Sequence, residues 1–301
     1  MSHTNERLGF DHTKRLLIVN ADDFGMCRST NEAIKQLLQE EVISSATIMM
    51  PCAWSEDAAR WSAANRQFDV GVHMTLTSEW DGYKWGPVCR RMNTSSLTTA
   101  HGHFPASCQV VEQQAEVEQI RQEFIAQIEA ALHQGIDVSH LDNHMGSVYG
   151  LATGRDFLQV VFDLCSTYDL PFRLPKTGMN IPPELTVLAK QRATQAEEQG
   201  IVILDDLLGL RYALETGETY EVAKASMCAL LRGLQPGLSE LIIHPAHVSD
   251  ELKSITPHWQ KRGFEFDLFR DPDIRELLLE EDIQLVRWLD VRHAQRNRPI
   301  K

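Results

Sequence analysis

Four segments of this chain end an apolar run in residues that can hold a metal or move a proton. Leu16-Leu17-Ile18-Val19 leads into Asn20-Ala21-Asp22-Asp23-Phe24-Gly25, and Val70-Gly71-Val72 leads into His73. Val138-Ser139-His140-Leu141-Asp142-Asn143 leads into His144, and Leu241-Ile242-Ile243 into His244-Pro245-Ala246-His247. Adjacent aspartates at a strand end repel unless they diverge or a cation lies between them. Neighbours on an extended strand point to opposite faces. Asp22 and Asp23 therefore suit a division of labour, one carboxylate binding a metal and the other acting as base. The competing use of such a pair is an Asx turn or helix N-cap.

His140, Asp142 and His144 recur with period two, which puts three polar groups on one strand face. A buried face of that kind needs partners or a metal. The same His-x-x-x-His spacing occurs on zinc-peptidase helices, but Leu141 stands where those require Glu. His73 alone reads as a structural histidine and gains weight from the other segments. Pro245 biases His244 toward extended backbone. Asp with two His leaves open positions for water and a substrate oxygen, as catalytic sites do. The donor set suits Zn, Mn, Co or Mg, and the chemistry it implies is metal-assisted hydrolysis.

To meet, these segments need a fold that brings strand carboxyl ends to one rim, as parallel β/α folds do. The β-branched runs predict strands at 15–20, 45–50, 69–75, 137–142, 171–175, 201–205, 240–244 and 283–288. Helical patterns lie between them. Ser29-Thr30-Asn31-Glu32 has capping-box spacing. Residues 111–134 form one amphipathic helix, with Val117, Ile120, Phe124, Ile128 and Leu132 on its stripe, Glu and Gln elsewhere and Gly135 as its stop. Asp271-Pro272-Asp273 opens another helix. The expected fold is α/β, an irregular parallel (β/α) barrel resembling a TIM barrel. A doubly wound sheet would carry a glycine-rich turn after its first strand, and Asp22-Asp23-Phe24-Gly25 is not one. Residues 78–110, 205–222 and 245–264 break the alternation. In the first of these Trp80, Tyr83, Trp85 and the turn His101-Gly102-His103-Phe104 either stack on sugar rings or fold onto the barrel rim.

The 301 residues carry 29 Lys and Arg against 42 Asp and Glu, a net charge of −13, which disfavours nucleic acid and anionic membranes. No run approaches the ~18 apolar residues of a membrane helix. The six cysteines form no C-x-x-C pair, which fits free thiols in a reducing, cytoplasmic setting. Residues 1–13 read as a flexible tail and 14–301 as a single domain.

With these residues in hand, the chain resembles the YdjC-like carbohydrate deacetylases, the group that includes chitooligosaccharide deacetylase. The resemblance rests on residues 17–25, on Gly71-Val72-His73-Met74-Thr75-Leu76-Thr77, on His140-Leu141-Asp142-Asn143-His144, on Phe172-Arg173-Leu174-Pro175 and on His244-Pro245-Ala246. It implies a metal-dependent hydrolase that removes acetyl groups from N-acetylated amino sugars. By motif position it implies Asp23, His73 and His144 as ligands of one divalent ion, Mg2+ or Zn2+. Asp22 is then the general base and His244 the acid beside the leaving group. Arg173, with His103 and Phe104 of the aromatic insertion, is then expected at the substrate. A homodimer follows by analogy alone. One departure stands out: the chitooligosaccharide enzymes have further histidines after the last ligand, whereas Met145-Gly146-Ser147-Val148-Tyr149-Gly150 follows here. Two rival readings use the same residues, a metal-dependent sugar isomerase or lyase and a non-catalytic sugar-binding barrel. The second leaves the trio Asp22, Asp23 and His244 without a purpose.

Overall fold

A computed structural model describes residues 3–176 and 186–297. Seven strands, β1 (Arg15–Phe24), β2 (Ser45–Ile48), β3 (Val70–Met74), β4 (Val138–Asn143), β5 (Asp206–Gly209), β6 (Gly237–Ile243) and β7 (Ile283–Leu285), form one sheet. Every ladder is parallel, in the order β4-β3-β2-β1-β6-β5, with β7 beside the start of β1. The expected strands at 171–175 and 201–205 make only single bridges, Leu141 to Phe172 and Pro175 to Leu204. Those bridges span the gap between β4 and β6, where Asp205 N also donates to Leu238 O at 2.7 Å. The result is an irregular parallel β/α barrel. β5 falls at 206–209, inside a stretch expected to be irregular.

The inside of the barrel changes character along its axis. Leu16 and Ile18 of β1 join Val202, Leu204, Leu238, Val286 and Trp288 in an apolar plug at the amino ends of the strands. Asn20 and Asp22, further along the same face of β1, are buried among polar groups instead. The outward face, Leu17, Val19 and Ala21, packs into the main core shared with the helices.

Within the segment expected to be a tail, His3–Arg7 is helical, Asn5 is buried with Nδ2 donating to Lys14 O at 2.8 Å, and Leu8 and Phe10 cover the apolar plug. Two local expectations need correction. The capping box at Ser29 does not form, because the helix Arg28–Gln39 starts after Cys27 and its first N–H groups are capped by Glu251 of the distant short helix Asp250–Ile255. The long helix is two, Cys108–Gln114 and Val117–His133. On the second, Glu123 and Gln127 are buried rather than solvated. Glu123 accepts from Val88 N and Cys89 N, while Gln127 clamps both backbone groups of Thr75, just past the end of β3. The helix needed buried polar anchors for the loops above it, which periodicity does not reveal. Gly135 does end it, at φ +89°.

Candidate metal and catalytic site

The end of β1 is bent so that its two carboxylates share one cup. The ladder to β2 slips between Ala21 and Phe24, and Asp23 has φ +67°. Left-handed backbone costs a non-glycine residue about 1 kcal/mol or more and is kept where the surroundings enforce it. The following Gly25 has φ +94°, and a Cβ there would press on Ser55 Cα at 3.0 Å. The divergence expected of neighbours in extended backbone is thereby cancelled at Asp23.

Each aspartate has its own arginine. Arg173 donates to Asp22 through Nη1 at 2.8 Å and Nη2 at 2.6 Å, and its Nη2 also lies 2.8 Å from Asp142 and 2.6 Å from Glu240. Arg262 donates to Asp23 Oδ2 at 2.6 Å and to the Tyr212 hydroxyl at 3.0 Å, between the rings of Trp80 and Tyr212. Burial opposes ionisation of Asp22, but Arg173 and then His73 outweigh it and hold the carboxyl well below the usual range. Burial likewise opposes ionisation of Asp23, and Arg262 and His144 overcome it. Glu240 has too little compensation; burial pushes it up to about 8.

His73 and His144 approach Asp23 in the same manner. His73 Nδ1 lies 2.6 Å from Asp142 Oδ1, and its Nε2 is 3.7 Å from Asp23 Oδ1. His144 Nε2 lies 3.0 Å from Glu79 Oε2, and its Nδ1 is 3.4 Å from the same Asp23 oxygen. A carboxylate only accepts, so each outer nitrogen carries a proton. Each inner nitrogen faces Asp23 Oδ1, which is buried and accepts no hydrogen bond. Ligand atoms of Asp23, His73 and His144 all fall within 4.8 Å of one another. An acceptor without a donor, faced by two imidazoles anchored from behind, is the arrangement a divalent ion requires. Burial opposes the charge on His144, but Glu79 and Asp23 lift its pKa to about 10. A second cluster, Asp22, His73 and Asp142, also has metal-like spacing, but the Arg173 guanidinium already supplies its cation.

His244 follows β6 and completes the rim. Its ring stands edge-on to Tyr212 at 5.0 Å, its N–H donates to Glu265 Oε2 at 2.6 Å, and its Nδ1 is 3.8 Å from the same oxygen. Burial holds its pKa down at about 4, so the imidazole is neutral at pH 7. Burial raises Glu265 to about 7.

Of the eight residues expected at the site, Asp22, Asp23, His73, His144, Arg173 and His244 converge. Arg173 lines the cavity, yet its guanidinium is spent on three carboxylates instead of facing outward. Phe104 is a correction: it is 1% exposed and packed in the core, with its N–H on Trp85 O, so it offers no face to a ligand. His103, beside it, lies outside the lining of the cavity next to Asp22 and His244. His140, on the face of Asp142, stacks on Trp288 at 4.6 Å in the barrel floor. Sequence reasoning missed Glu79, Tyr212, Glu240, Arg262 and Glu265. Three of these, Glu79, Tyr212 and Arg262, belong to the segments that broke the β/α alternation, and that irregularity was the available signal.

The family model described as YdjC-like protein matches residues 16–280. A carbohydrate deacetylase of Thermus thermophilus is 28% identical over 291 residues, 96% of this chain and 98% of that protein. A carbohydrate deacetylase of Thermoanaerobacter pseudethanolicus is 26% identical over 274 residues, 91% and 98% of the two chains. Among solved structures, a proposed cellobiose-phosphate cleavage protein from Enterococcus faecalis superimposes with a TM-score of 0.74 at 22% identity, covering 91% of this chain and 98% of that one. At that identity the superposition shows the shared fold.

Proposed function

The chain belongs to the YdjC-like family, and on that premise we propose that it is a metal-dependent carbohydrate deacetylase that hydrolyses N-acetyl groups of amino sugars. The observation that carries the reading is Asp23 Oδ1, a buried oxygen without a donor and faced by two anchored imidazoles. Asp23, His73 and His144 would hold one divalent ion, Mg2+ or Zn2+. When bound, such an ion lowers the pKa of a water and polarises the acyl carbonyl.

The chain's own residues account for the remaining roles. Asp142 and Glu79 fix the ring orientations of His73 and His144. Asp22, aimed by Arg173 and by Asn20 Nδ2 at 2.8 Å, takes the proton of the attacking water. Arg173 makes Asp22 a weak base, which suffices only for a water that is already acidic. His244 starts neutral, so it receives the proton that Asp22 took from the water and passes it to the departing nitrogen, leaving Asp22 ionised again. Glu265 stabilises the imidazolium as it forms. Water adds to the acyl carbon, the C–N bond breaks, and acetate and a free amine leave. The six thiols scattered without a disulfide support a cytoplasmic setting for this reaction.

The test is acetate release from a panel of N-acetylated sugars with Mg2+, Mn2+ or Zn2+ supplied. Asp22→Asn should cut turnover by about 10²–10⁴-fold with metal content unchanged. Asp23→Asn should instead lower metal content. Sugar conversion without acetate would favour the isomerase or lyase, and tight sugar binding without conversion would favour the silent barrel.

A further inference from the structure

The cavity beside Asp22 and His244 differs sharply from the acidic cup it adjoins. It encloses about 290 Å3. A water-sized group needs about 30 Å3, so an acetyl group would fill a small part of it. Met145, Leu151, Leu174, Leu188, Leu207 and Ile242 supply much of the wall. Several polar groups in that wall are already committed, while Asn143 Nδ2 is buried there without a partner. Arg192 Nε donates to Asp156 Oδ2 at 3.0 Å, Arg173 is held by Asp22, Asp142 and Glu240, and the Tyr149 hydroxyl donates to Arg173 O. Met145 and Leu151 remain 46% and 42% exposed although the chain could have placed polar residues there. A bare sugar presents hydroxyls on every side, and a hydroxyl set against the apolar side chains of this wall, away from Asn143, loses water without gaining a partner.

We propose that this cavity is a subsite for an apolar substituent of the sugar substrate, next to the reacting amide. Two sources share that chemistry, an N-acyl chain longer than acetyl and an alkyl or aryl group at the anomeric oxygen. The inference rests on the deacetylase reading for its reaction but not for its binding. Hydrolysis of a longer amide balances as before: water's oxygen joins the acyl carbon, the C–N bond breaks, and the products are a carboxylate and an amine.

Two arms test it on the full chain. In the first, the metal-loaded protein is assayed on N-acetyl-, N-butanoyl- and N-hexanoylglucosamine. Each buried methylene is worth about fourfold, so butanoyl, with two more, should exceed acetyl by about 15-fold in kcat/KM if the acyl chain is the source. In the second, calorimetry compares glucosamine with its octyl glycoside, which carries no amide to hydrolyse. The glycoside should bind at least tenfold tighter if the anomeric group is the source. Leu188→Asp, and Leu151→Arg at the open rim, should each shrink whichever gain is seen, read as a ratio to the unsubstituted sugar within one variant. No gain in either arm, or a gain that both variants leave intact, would overturn the subsite. Octyl binding without hydrolysis of any amide would sustain the subsite and sink the deacetylase reading.

Discussion

At the scale of single residues, the site solves a charge problem. Asp22, Asp23, Asp142 and Glu240 are all buried, and two guanidiniums and two imidazoles are arranged to meet them. Arginine suits this use because its planar fork holds several carboxylate oxygens at once and its charge is not lost on burial. Glu265 is the residue whose titration should be visible in the reaction. Its carboxyl is raised to about 7, so it is neutral below that pH and ionised above it. Only the ionised form can stabilise an imidazolium at His244. Activity of the metal-loaded protein should therefore climb with pH through about 7. Glu265→Gln, whose amide oxygen can still accept from His244 N, should flatten that limb and lower the plateau. A profile identical to that of the unaltered protein would remove Glu265 from the chemistry.

At the scale of elements, backbone geometry decides which side chains meet. β3 and β4 pair in register with His73 opposite Asp142, which places the imidazole beside its anchor. That register depends on Gly71: a Cβ there would sit 2.5 Å from the His140 ring and 2.8 Å from the His140 carbonyl oxygen. Gly71→Ala should cost about 1–3 kcal/mol of stability in denaturant unfolding, the usual penalty for overpacking. An unchanged midpoint would mean that β3 and β4 are less closely paired than described. This scale also marks how far the sequence could be read. The apolar runs at 15–20, 69–75, 137–142 and 240–244 located the strands that deliver Asp22, Asp23, His73, Asp142 and His244, because a buried parallel strand is a continuous apolar stretch. The segments at 171–175 and 201–205 look the same in composition yet make only bridges, since pairing depends on neighbours the local sequence does not specify. Asp23 was expected to diverge from Asp22, and only the slipped register at the end of β1 brings the two together. Glu79 reaches the cup from a loop, where no periodicity marks a side chain's direction, and Arg262 from the helix Trp259–Leu268, where a buried arginine runs against the apolar pattern that marks a core face.

At the scale of the whole molecule, the barrel is layered. An apolar floor around Trp288 is capped from outside by Leu8 and Phe10, a charged layer centred on Arg173 lies above it, and the metal-capable cup opens at the rim. No described helix is long and apolar enough to cross a membrane. The six free cysteines lie outside the cup, so the donor set there is nitrogen and oxygen alone. Of the two metal-capable clusters among the described residues, the layers leave the one at Asp23 open to a dication. Arg173 blocks the layer below, and Asp23 Oδ1 is the acceptor left open above it. Anomalous diffraction from crystals grown with Mn2+ or Zn2+ tests this most directly. One strong peak is expected within bonding distance of Asp23 Oδ1, His73 Nε2 and His144 Nδ1, and it should be lost in Asp23→Asn. A peak bound instead by Asp22 and Asp142, or full acetate release from protein that shows no peak, would contradict a metal site at Asp23.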